Sequence, residues 1–199
     1  MLKQLGRIDI YLLDQLMKNR VHPSMRILDA GCGSGRNAQY FVENNFDIWG
    51  IDRQAEAIEV IQENVRYWNP KYDQSKFSIA DLAKIPFPAN HFDFIISSAV
   101  LHFAENRAHF LQLMEEKIRV LRPKGIIWFR MTTKHTLEQY AQHLHDDIYA
   151  LPDGSTRYLL DLEVLSQLME KHSLQFLDPF KTVNVANLRT MATVVLQKI

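Results

Sequence analysis

Cysteine is almost missing from this chain: Cys32 is the only one in 199 residues. A single thiol closes no disulfide within the chain and builds no cysteine-rich zinc site, and it accords with a reducing compartment. Net charge is missing too, because 23 basic and 23 acidic residues cancel. That balance argues against a protein whose main task is to coat nucleic acid or an anionic membrane, since both reward a basic excess. Nor is there a long apolar run. The longest, residues 92–103, is interrupted by Asp93, Ser97, Ser98 and His102 and is too short and too polar to span a bilayer. Charges break up the N-terminus too often for the apolar core of a signal peptide. Internal repeats and low-complexity segments are absent. With 47% apolar and 23% charged residues, the expectation is one soluble, cytoplasmic globular domain over 1–199.

What is present is a regular alternation of periodic segments. Leu5, Ile8, Leu12 and Leu16 recur at spacings of three and four, which predicts an amphipathic helix over about 3–19. The apolar run 26–30 ends in glycines and reads as a buried strand followed by a tight turn. Helices over about 35–44, 54–68 and 106–121 then alternate with strands over 46–52, 77–81, 92–97 and 126–131, the last preceded by a Pro123-Lys124-Gly125 turn. Such alternation predicts an open, mostly parallel sheet covered on both faces. Beyond it, 133–150 is polar and compatible with a helix, Pro152-Asp153-Gly154 is a turn, and 161–172 is helical. The runs 174–177 and 191–196 close the chain as a strand pair. Glu115-Glu116-Lys117 reads as a solvated helix face.

The informative segment is Ile27-Leu-Asp-Ala-Gly-Cys-Gly-Ser-Gly-Arg-Asn37, a strand that runs into a glycine turn and then a helix. Gly31, Gly33 and Gly35 permit a tight turn and a close approach of ligand to main chain, with the following helix offering free amides. A dinucleotide fingerprint wants G-x-G-x-x-G, but the spacing here is G-x-G-x-G with Arg36 where the third glycine would stand. Asp52 follows at the end of the second strand, placed to accept both hydroxyls of a ribose. Asp29, Asp52 and Asp81 close three successive strands as an acidic rim without a basic cradle for phosphates. That rim suits a nucleoside with a cationic centre.

With these residues the chain resembles the class I S-adenosylmethionine-dependent methyltransferases, most strongly over 26–130. Asp29-Ala-Gly-Cys-Gly-Ser-Gly35 is similar to the family's first motif, Asp52 to its ribose-binding acid and Asp81-Leu82 to its adenine-binding pair. Residues 85–103 resemble the fourth-strand motif, and Leu121-Arg-Pro-Lys-Gly-Ile-Ile127 the turn before the fifth strand. The resemblance implies a Rossmann-like sheet of seven strands ordered 3-2-1-4-5-7-6, the last antiparallel. It also implies S-adenosylmethionine as cofactor, with S-adenosylhomocysteine as product. Asp29, Gly31, Cys32, Gly33, Gly35, Asp52, Arg53, Asp81, Leu82 and Ser97 would bind it. Leu188-Arg-Thr-Met-Ala-Thr193 also resembles small bacterial methyltransferases that modify tellurite or thiols.

The acceptor side is thinner in motifs. His102, just after the fourth strand, is the candidate general base. Tyr11 and Tyr158 are candidate lid or substrate contacts. Arg130 and Arg189 are expected at the same sheet edge, where guanidinium groups would favour an anionic substrate. His143 and His145, two apart on a helix, point different ways, so no metal site is expected. Residues 1–25 and 133–160 would cover a small-molecule acceptor, with no nucleic-acid or membrane partner. The alternatives are a non-catalytic sensor of the nucleoside, a methyltransferase acting on a macromolecule, or an aminopropyl-transferring enzyme, which would need further acids after the fourth strand.

Overall fold

A computed structural model describes residues 5–137 and 139–199, so residues 3 and 4 of the expected N-terminal helix lie outside the described residues. The observed elements are α1 (Ile10–Met17), β1 (Arg26–Ala30), α2 (Ala38–Glu43), β2 (Asp47–Asp52), α3 (Ala55–Trp68), β3 (Phe77–Ile79) and β4 (Phe92–Ser98). They continue as α4 (Arg107–Val120), β5 (Leu121–Thr132), β6 (Gln142–His145), β7 (Ile148–Ala150) and β8 (Thr156–Tyr158). The chain closes with α5 (Leu162–Lys171), β9 (Leu174–Phe176), β10 (Lys181–Val185) and β11 (Arg189–Lys198).

The main sheet runs β3-β2-β1-β4-β5-β11-β10, with β9 also paired to β11. Pairs β1–β2, β1–β4, β2–β3 and β4–β5 are parallel and β11 is antiparallel to β5, so the expected order is observed. Strands whose side chains are buried on both faces produce this architecture. β1 and β4 are almost wholly buried, and each face of the sheet carries its own apolar layer. Leu28, Ile95 and Phe129 pack with α4 and α5 on one face. Ile27, Phe94 and Trp128 pack with α1, α2 and α3 on the other. Side-chain caps start three of the helices: Asp9 accepts the Tyr11 amide, Asn106 that of His109 and Asp161 that of Glu163.

Four local expectations are corrected. The sixth strand position is occupied by two pieces, β9 against 196–198 and β10 against 189–193, on either side of Pro179, which has no amide to donate. The Pro123-Lys124-Gly125 turn is a bulge inside one long β5, with Lys124 at φ 63° and the β4 register shifting beside it. The polar segment expected to be compatible with a helix is instead an antiparallel sheet of β6, β7 and β8. Its first hairpin turns on Asp146 and Asp147, both at positive φ (45° and 62°), the geometry that matches strand twist in a two-residue turn. His143 and His145 therefore sit on a strand, not a helix.

The fourth correction is Lys117, which has no exposed surface at all and donates to the Leu113 carbonyl at 3.2 Å. Burial pushes its ammonium down to about 7, opposed by neighbouring Glu116. The unfolded chain thus binds the proton more tightly, and stability must rise with pH between about 7 and the usual lysine value. Unfolding titrations are expected to show the wild type gaining about 2 kcal/mol between pH 7 and 8.5 relative to Lys117→Met. Parallel curves for the two proteins would show that the ammonium is not held in the core.

Candidate functional site

The site forms where β1 ends. The Ile51 carbonyl of β2 accepts from Gly31 N (2.8 Å) and Cys32 N (3.1 Å), so the loop leaves its own strand while bound to the next. Gly31 has φ +90°, and a Cβ there would lie 2.4 Å from Val100, so only glycine fits. Gly35, at φ +89°, packs against Ile61 and Trp68. It does not reach the cavity and serves packing rather than ligand contact. Gly33 differs from both: a Cβ on it would meet nothing within 4 Å, which leaves an open cradle.

Asp52 fixes that cradle. One carboxylate oxygen accepts Gly33 N at 2.9 Å and the other accepts Gln54 N at 3.0 Å. Around it lies a cavity of about 670 Å³, lined by Gly31, Cys32, Gly33, Asp52, Arg53, Asp81 and Leu82 among the expected residues. The volume falls within the roughly 300–1,000 Å³ usual for small-ligand sites. Asp81 caps its own turn through Ala83 N (2.8 Å) and keeps its side chain exposed at the rim.

Several expected residues stand elsewhere. Asp29 is only 1% exposed and lies beneath the loop, not on the rim. Burial pushes its carboxyl up to about 7; Arg36 opposes this and Asp52 adds to it. One of its oxygens, Oδ1, has no hydrogen-bond partner. Ser97 is fully buried, and Ser98 lines the cavity in its place. Cys32 is an inert thiol, since burial first and then Asp29 and Asp52 push it well above the usual range. The expected lack of a basic cradle is also corrected, because Arg36 and Arg53 both line the cavity. Arg36 donates to Ser98 Oγ at 3.0 Å and lies 3.6 Å from Asp9.

The acceptor-side expectations fare differently. His102 lines a second cavity of about 350 Å³ rather than the first. Burial, then Arg157 and Arg189, pushes its imidazole down to about 4. Arg130 is held by the buried carboxylate of Asp9 and stacks 4.9 Å from the Tyr11 ring, so Tyr11 and Arg130 anchor α1. Arg189 is half exposed and pairs with Asp153 at 3.7 Å. Neither arginine lines the cofactor-sized cavity. Tyr158 is fully buried against Phe110. Sequence reading missed Phe103, Glu105 and His109 on the cavity wall. The signal for the last was the Asn106 cap, which sets the start of α4 and so the direction of His109. Among the described residues no group of three or more His, Cys, Asp or Glu is placed to hold a metal. No helix among them is long and apolar enough to cross a membrane.

A parallel sheet whose first strand ends in a glycine turn clasped by the acid of the second defines a nucleoside-binding α/β protein. A family model described as "Methyltransferase domain" matches residues 28–129, just over half of the chain. The chain belongs to this family, the class I S-adenosylmethionine-dependent methyltransferases. Over 162 residues it is 27% identical to the tRNA N(3)-cytidine methyltransferase of Gallus gallus, covering 76% of this chain and 43% of that one. Over 117 residues it is 25% identical to the malonyl-[acyl-carrier protein] O-methyltransferase of Enterobacter lignolyticus, covering 59% and 43%. The chain thus spans about half the length of the curated relatives it matches. Among solved structures, a Methanosarcina mazei S-adenosylmethionine-dependent methyltransferase superposes with a TM-score of 0.75 at 19% identity, covering 92% of this chain and 97% of that one. The magnesium protoporphyrin IX methyltransferase of Synechocystis, solved with S-adenosylmethionine bound, gives 0.72 at 12%, covering 95% and 77%.

In calorimetric titrations, Asp52→Ala is expected to weaken S-adenosylhomocysteine binding about tenfold or more, at least 1.4 kcal/mol. Unchanged affinity would remove Asp52 from the binding site.

Proposed function

We propose that this chain transfers a methyl group from S-adenosylmethionine to a small-molecule acceptor. The open cradle at Gly33, clasped by Asp52, carries this reading. The residues fit the cofactor: Asp52 for the ribose hydroxyls, Asp81 and the Leu82 amide for the adenine, and Arg36 beside Ser98 for the carboxylate at the other end. When bound, the cofactor supplies a sulfonium methyl already activated by its positive charge. The protein's own contribution is then to align the two partners and exclude water, and orientation alone is worth an effective molarity of roughly 10⁵ M or more. His102, held uncharged at neutral pH, is a weak base and suits an acceptor that arrives deprotonated or readily loses its proton.

The names of the relatives divide between small groups and tRNA, so they do not choose the acceptor. Support for a small molecule comes from what lies beside the two cavities: Asp9, the cap of α1, is bound to Asn37 (3.0 Å) on the wall of the main cavity, and the β6–β8 sheet lines the second cavity. We take these two segments as the cover of the acceptor site.

Arg36→Gln is expected to weaken S-adenosylhomocysteine about tenfold while leaving 5′-methylthioadenosine, which lacks the carboxylate, unchanged. Equal losses for both ligands would assign Arg36 a structural role. With methyl-labelled cofactor, label is expected in a panel of small acids and thiols; label confined to added tRNA would overturn the small-molecule reading.

A further inference from the structure

The second cavity has features that the cofactor site does not need. It shares Phe103 and Glu105 with the main cavity, so the two are neighbours across a single wall. The rest of its lining includes His102 and, from the β6–β8 sheet, His145, Ile148, Arg157 and Tyr158. Two buried polar atoms here have no hydrogen-bond partner, His102 Nδ1 and Tyr158 Oη. His102 is 8% exposed and Tyr158 not at all. Buried polar groups are rarely left unpaired, so two on residues of one cavity point to a ligand that satisfies them.

The chemistry of that ligand follows from the walls. Tyr158 lies stacked on Phe110 with ring centroids 4.8 Å apart, which fixes the direction of its hydroxyl. Burial, then Asp147, pushes its phenol well above the usual range, so Oη remains a donor. Either nitrogen of a neutral imidazole carries the proton, and Nδ1 is available as a second donor. Arg157 makes no ion pair among the described residues; it donates to the Thr156 carbonyl at 2.7 Å and lies 4.7 Å over the Phe103 ring. That ring is 54% exposed, an apolar face between the cavities. The acids nearby are Glu105 on the shared wall, Asp147 held by Arg107 at 2.7 Å and Asp153 held by Arg189.

We propose that the second cavity is the acceptor subsite and takes a small planar molecule bearing a carboxylate, held by Tyr158, His102 and Arg157 with its apolar part against Phe103. This rests on the methyltransferase reading and names the acceptor class for it. The two orphaned atoms lie below the surface, so the ligand reaches them as side chains lining the cavity move aside.

The test uses the full chain saturated with S-adenosylhomocysteine and titrated with benzoate and with benzamide, binding being followed through the histidine ring resonances. Benzoate is expected to shift the His102 resonance, identified by its loss in His102→Gln, and to bind about tenfold more tightly than benzamide. Tyr158→Phe, which removes only an unpaired hydroxyl, and Arg157→Gln are each expected to weaken benzoate about fivefold or more, with S-adenosylhomocysteine affinity unchanged. Equal binding of the two probes, no benzoate binding at millimolar concentration, or full benzoate affinity in Tyr158→Phe would overturn the proposal. Failure of S-adenosylhomocysteine to bind would instead count against the cofactor reading, because benzoate is titrated into the free protein in parallel.

Discussion

The carboxylate of Asp52 accepts Gly33 N on one oxygen and Gln54 N on the other, tying the glycine loop after β1 to the start of α3 after β2. The Ile51 carbonyl already holds Gly31 N and Cys32 N, and the Asp52 side chain adds the bonds that join this loop to the turn after β2. The parallel pairing of β1 and β2 brings the acid into reach, and the positive φ of Gly31 and Gly33 turns the loop so that the Gly33 amide meets it. Without that clasp the strand ends would still meet, but the open face at Gly33 would have no fixed position relative to Asp81 and Leu82. The binding face thus depends on bonds that the strand pairing alone does not supply.

A second carboxylate plays a related part on the other side of the loop. Asp9 caps α1, pairs with Arg130 at the end of β5 and lies beside Arg36, while its amide donates to Asn37 Oδ1. The N-terminal helix is thereby joined to residues of the cavity wall rather than merely packed on the core. Buried carboxylates of this kind demand compensating cations, which is why Arg130, expected to meet substrate, is already engaged.

How legible the molecule was from its sequence depended on the range of the cause. The parallel sheet and the glycine loop were readable because burial on both faces leaves unbroken apolar runs and because strand, turn and helix follow one another directly, whereas the strand order came from the family resemblance. The β6–β8 sheet was not, since its hairpin rests on two aspartates at positive φ, a conformation their identity permits but does not announce. β10 was missed because an exposed edge strand keeps its polar residues, as Asn184 does. Ser97 and Ser98 differ by strand parity alone: adjacent side chains face opposite ways, and the register came from the core. Lys117 looked solvated beside Glu115 and Glu116, yet the α4 face it shares with Leu113 and Met114 is fully packed. His102 was placed at the correct sheet edge, but which cavity it lines depends on the β6–β8 sheet, which is far from it in sequence.

We propose the Asp52–Gly33 clasp as the seat of the cofactor's nucleoside. The test is a crystal structure grown with S-adenosylhomocysteine. The ribose hydroxyls are expected on Asp52, the adenine beside Asp81 and Leu82, and the carboxylate near Arg36. A nucleoside bound elsewhere, or bound here with Asp52 still engaged only by Gly33 and Gln54 and no contact to the ribose, would contradict it.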